Sequence, residues 1–156
     1  MPADISKPQS SGHLTTDARP KNELLTTKAI VEYALSNFQS GQRDNAFHSL
    51  IEAGPNIIPE LINLYEKTTD IDIQVLTIEV TSEFRLSTSL NFLKHALRQE
   101  NPKIWKRALN GLAMVGSIQV IEALDHVLAS DCDAEKRAWI EEVMSDISAR
   151  LKAEVG

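Results

Sequence analysis

The 156-residue chain has a single cysteine, Cys132, which excludes an internal disulfide framework and a cysteine metal cluster. No apolar run approaches the ~18–20 residues that span a bilayer. The opening MPADISKPQSSG has no hydrophobic segment of the signal-peptide kind, so a cytoplasmic location is expected. A basic excess is also missing. The net charge is −6, which argues against a general nucleic-acid binder. There is no glycine-rich phosphate loop, no G-x-S-x-G elbow and no H-E-x-x-H pair. Cys132 lies between Asp131 and Asp133, the opposite of the electropositive setting an activated cysteine needs. Adjacent carboxylates such as Glu141 and Glu142 point about 100° apart on a helix, unlike a converging acid/base pair. No catalytic constellation is found, so the chain is expected to be no enzyme and to hold neither cofactor nor metal. What remains is an ordinary globular composition, 42% hydrophobic and 24% charged, at a length that suits one domain.

Residues 1–25 carry Pro2, Pro8 and Pro20, a Ser/Thr-rich stretch and no periodic apolar pattern. Such a segment buries too little apolar surface to offset its ordering entropy, so a flexible leader is expected. From Thr26 onward the pattern is helical and it repeats. Leu61, Leu93 and Leu124 recur at 32 and 31 residues. Three positions before them lie Ile58, Leu90 and Ile121. Three after lie Leu64, Ala96 and Val127, and four after lie Tyr65, Leu97 and Leu128. Those offsets define one face of a helix, and every position on it is apolar. Self-similarity at this period marks stacked helical repeats.

The second helix of each unit keeps its own register. Asp70, Asn101 and Asp133 have the short acceptor side chains of N-caps, and Pro102 fits the first helical position. Counting from these caps, Thr77, Ala108 and Ile140 share an offset, as do Val80, Gly111 and Val143, and Phe84, Val115 and Ile147. Gly54 and Gly116 read as left-handed stops, and Ser87 and Ser117 as caps for the helices that follow. One segment conflicts: Ile71, Ile73, Val75, Ile78 and Val80 suggest a strand period. The helical register shared with the two later copies predicts a helix there. Upstream, Val31, Ala34 and Phe38 form a first helix, and Phe47, Leu50 and Ile51, behind a cap at Asp44, form its partner.

GPNIIPELINLYEKTTDIDIQ, residues 54–74, resembles a HEAT-like repeat, which joins a small-residue turn, an a-I-P-x-L helix opening and an acidic second turn. VGSIQVIEALDHVLASDCDAEKRAW, residues 115–139, is similar, with Val120, Ile121 and Leu124 in the equivalent places. The copy at 87–115 departs from the pattern, having Leu90-Asn91-Phe92 where a proline is expected. The resemblance implies an all-α fold, a right-handed α–α superhelix or solenoid of about four HEAT-like helix pairs over residues 26–156. Its second helices would line a concave binding face.

On that face the wheel places Asp72, Lys103 and Glu135, then Val75, Lys106 and Ala138, then Glu79, Asn110 and Glu142. Charge is banded along the chain. Residues 44–83 hold eight acids and one base, 84–110 six bases and one acid, and 111–156 nine acids and four bases. Among the bases Arg85, Lys94, Arg98, Lys103, Lys106 and Arg107, the last three converge on the face and could meet an acidic patch; otherwise they simply solvate two helices. A duplex would need an unbroken basic track, which Asp72, Glu79, Glu135 and Glu142 interrupt. Trp105 reads as inter-repeat packing, while Trp139, at the edge of the strip, is either packing or an exposed anchor. His95 and His126 occupy equivalent outer positions with Asn63, and read as solvated side chains rather than metal ligands.

A non-catalytic module that binds another protein is therefore expected. Its candidate partner-binding residues are Asp72, Glu79, Lys103, Lys106, Arg107, Asn110, Glu135, Trp139 and Glu142. A dedicated inhibitor, such as an immunity protein against a toxin, and an assembly adaptor both fit. HEAT-like resemblance also reaches phycobilin lyases and DNA glycosylases, so an accessory of the lyase type and a nucleic-acid binder stand as alternatives. Neither a chromophore-binding cluster nor a continuous basic track supports them.

Overall fold

The structure of the chain is a computed structural model, and it describes residues 26–130 and 132–155. The leader expected over residues 1–25 lies outside the described residues. Eight α-helices follow in chain order: α1 (Thr27–Gln39), α2 (Arg43–Ala53), α3 (Ile58–Lys67), α4 (Ile71–Glu83), α5 (Leu90–Leu97), α6 (Pro102–Val115), α7 (Ile118–Ala129) and α8 (Ala134–Val155). Short 3₁₀ turns, Pro55–Ile57 and Ser87–Ser89, lead into α3 and α5. No strand occurs among the described residues. Consecutive helices pack in pairs, and α2, α4, α6 and α8 also pack in succession, which makes the second helices one continuous layer.

The repeat register accounts for the packing. Leu61, Leu93 and Leu124 are fully buried, each contributing roughly 1.5–3 kcal/mol relative to an exposed leucine. Val31, Ala34 and Phe38 bury one face of α1. Asp70 accepts from the backbone N–H of Asp72 and Ile73, Asn101 from Lys103, and Asp133 from Lys136, so each later second helix has its N-cap. Gly116 ends α6 in the left-handed region as expected, whereas Gly54 ends α2 at φ 87° and ψ 175°, outside the left-handed helical region expected of it but a conformation that only glycine adopts without strain.

Residues 71–83 are helix, and the strand-like alternation has a physical cause. α4 is flanked by α2 and α6 while resting on α3. It therefore buries Ile73, Leu76, Thr77, Ile78, Val80, Thr81 and Ser82, which cannot all lie on one stripe. A helix covered on several sides has no clean polar face, so its sequence loses the 3.6-residue signature. Three expected caps differ. α2 begins at Arg43, and Asp44 lies in its first turn, where a carboxylate faces the positive helix end. Ser87 opens the 3₁₀ turn, leaving the cap position of α5 to Ser89. Ser117 holds the cap position of α7, but its side chain makes no capping hydrogen bond.

Candidate functional site

Second helices of parallel register leave a cleft of about 620 Å³ between α2, α4 and α6. α4 forms its floor through Asp72, Val75, Leu76, Glu79, Ser82 and Glu83, which fall on one stripe. α6 forms one wall through Lys103, Arg107, Asn110 and Met114, again a single stripe. Arg43, Asp44 and Phe47 of α2, with Phe38 of α1, make the other wall. Apolar and charged groups are interleaved there, as in a surface that takes apolar side chains and selects them by charge.

Three ion pairs cross the second-helix layer, one at each junction. Arg43 of α2 meets Asp72 of α4 at 3.3 Å, Glu79 of α4 meets Arg107 of α6 at 2.8 Å, and Lys106 of α6 meets Glu135 of α8 at 3.2 Å. The banded charges therefore turn inward on one another. Of the nine candidate residues, Asp72, Glu79, Lys106, Arg107 and Glu135 already have partners within the chain. Lys103 and Glu142 have no ion pair among the described residues, and with Asn110 they are exposed. The cleft brings together Asp72, Glu79, Lys103, Arg107 and Asn110. Lys106, one stripe over on α6, instead joins Glu135 and Trp139 of α8.

That second group is aromatic. Trp105 is 1% exposed, Trp139 is 44% exposed, and their rings meet edge to face at 5.9 Å between centroids. The Lys106 ammonium stands over the Trp139 ring at 4.7 Å. Beneath them Lys136, 7% exposed, donates to the carbonyls of Leu97 at 2.8 Å and Gln99 at 3.0 Å. Burial pushes its ammonium below the ordinary lysine range, with Asp133 and Glu100 among the groups opposing that shift. The repeat explains this placement. Gln74 and Arg137, four past their caps, donate to the carbonyls of Tyr65 and Leu128 at the ends of α3 and α7. The equivalent residue in the middle pair is Trp105, and the Leu97 carbonyl takes its hydrogen bond from Lys136 of the next pair instead.

A profile of HEAT repeats matches residues 58–145, more than half of the chain. The chain belongs to the HEAT-repeat family. HEAT repeats generally mediate protein–protein interaction, typically as non-catalytic scaffolds. No curated protein and no solved structure matches the chain. The HEAT match begins at α3, so α1 and α2 lie outside it although they build one wall of the cleft.

Other sequence candidates fall outside this HEAT cleft. Asn63, His95 and His126 are exposed on the first helices, with His95 edge-on to Tyr65. Arg85 is exposed beyond the end of α4 at φ 53°, and Lys94 and Arg98 belong to α5 and its end. Phe38, Arg43, Asp44, Phe47, Leu76, Ser82, Glu83 and Met114 line the cleft but were not singled out from sequence as site residues. The first pair lacks the register that aligned the later HEAT units, so nothing fixed which of its side chains face the cleft. Among the described residues no helix is long and apolar enough to cross a membrane.

Proposed function

We propose that this HEAT module is a non-catalytic binder, acting in the cytoplasm, that takes a segment of another protein into the cleft between α2, α4 and α6. One observation carries the reading: a cleft on the second-helix face, floored by Val75 and Leu76 and rimmed by charges of both signs. Lys103 suits a partner carboxylate, and Asp44 and Glu83 suit partner bases; none of the three has an ion pair among the described residues. Such patterning sets specificity and association rate more than affinity. A cleft on an acidic module fits a dedicated inhibitor that occludes one partner, in the manner of an immunity protein, whereas an adaptor would engage two partners at separate surfaces.

The test is co-purification of the products of neighbouring genes with the wild-type chain and with Lys103→Glu and Asn110→Arg, both exposed enough to leave the fold intact. A partner that binds wild type and binds both variants at least tenfold more weakly supports the cleft. Undiminished binding removes it. Stoichiometric loss of the partner's own activity in the complex marks an inhibitor, and retained activity marks an adaptor.

A further inference from the structure

The exposed strip of α8 lies outside the cleft and has a chemistry of its own. Glu135, Trp139, Glu142 and Asp146 are spaced by four, three and four residues, so they form one stripe. All four are exposed, and Trp139 is the largest exposed apolar side chain among the described residues. Its ring is already held in place, edge to face with buried Trp105 and beneath the Lys106 ammonium. Little conformational entropy is left to lose on binding, which is the condition under which a tryptophan anchors an interface.

The charges around it select the partner. Lys106 is neutralised by Glu135 at 3.2 Å. Arg150, the next base along α8, donates to the Ala113 carbonyl of α6. Glu142 and Asp146 have no ion pair among the described residues, so the unpaired charge along the stripe is negative.

We propose that this α8 strip is a second docking surface, and that its occupant is an arginine-bearing segment of a protein partner. A guanidinium is planar and weakly hydrated, so it can stack against the exposed part of the indole while its fork of N–H donors reaches the Glu142 or Asp146 carboxylate. An ammonium lacks both the plane and the fork. The proposal rests on the chain being a protein-binding module but not on the cleft.

The test is titration of the full chain with hexa-arginine, hexa-lysine and hexa-glutamate peptides, followed through the two indole N–H resonances. The Trp139 resonance is assigned by its loss in Trp139→Phe. Expected is a saturable shift of that resonance with hexa-arginine, at least fivefold weaker affinity for hexa-lysine, and no shift with hexa-glutamate. Glu142→Lys combined with Asp146→Lys, both exposed, should weaken hexa-arginine binding at least tenfold, while Lys103→Glu in the cleft leaves it unchanged. A Trp139 resonance that does not move, equal affinity for the lysine peptide, or an unaltered titration of the charge-reversed variant each overturns the proposal. Loss of partner binding in cleft variants with the arginine response intact separates failure of one surface from failure of the other.

Discussion

The α4–α6 junction and the α6–α8 junction use the same repeat register and end up opposite in character. At the first, Gly111 of α6 lies so close to Ser82 of α4 that a Cβ at position 111 would collide with the serine hydroxyl. The helices touch there, yet the lining from Asp72 to Glu83 and from Lys103 to Met114 leaves a cleft open along the length of both. At the second, Trp105 and Trp139 fill the space between the helices, and a lysine is buried beneath them. Six past the cap, Leu76, Arg107 and Trp139 are equivalent positions: a floor, a wall and an anchor. The positions that repeat hold the stack together, and those that vary decide whether a junction opens or closes.

Breaking the filled junction should have the largest effect. Trp105→Ala removes the largest fully buried side chain and is expected to cost about 3–5 kcal/mol, read as a fall in the urea midpoint. A loss below about 1 kcal/mol would mean that the junction is looser than the buried ring implies.

Lys136→Met comes next. It leaves the Leu97 and Gln99 carbonyls without their donor, at a cost of about 1–3 kcal/mol. The same variant isolates a pH effect. Since burial lowers the folded-state pKa of Lys136, the unfolded chain binds more protons between that value and the ordinary lysine pKa. Stability attributable to this group is least near neutral pH and rises as pH climbs through that window. Urea midpoints at pH 7 and 9.5 should therefore differ more in wild type than in Lys136→Met; a rise of equal size in both would sink the assignment.

The smallest effect belongs to the open junction. Glu79→Gln breaks a partly exposed pair with Arg107 and should cost about 1 kcal/mol or less, with most of the deficit vanishing in high salt. A larger, salt-independent loss would show the cleft to be held by more than surface charge.

Much of this architecture was legible in the chain. The leucine anchors and the caps at Asp70, Asn101 and Asp133 needed only periodicity and short polar side chains, both of which are local properties. α4 was the hard case, because a helix buried on several sides carries the β-branched residues of a strand. Lys136 went unnoticed although the register contained the signal. Three past the cap, Ile73, Ile104 and Lys136 are equivalent, and the two isoleucines are core. The ion pairs were invisible for another reason. Sequence placed acids and bases on a common face, but whether they meet each other or a partner depends on helix spacing and stagger. Charge counts contain neither.

That lacing of opposite charges has a consequence for recognition. A carboxylate arriving at Arg107 finds the site occupied by Glu79, and must displace a tethered rival whose effective concentration is high. Capture at Arg107 is then an exchange reaction, and it favours a ligand that also gives the evicted Glu79 a cation of its own. A polyampholyte of the right spacing would gain over a surface of one sign.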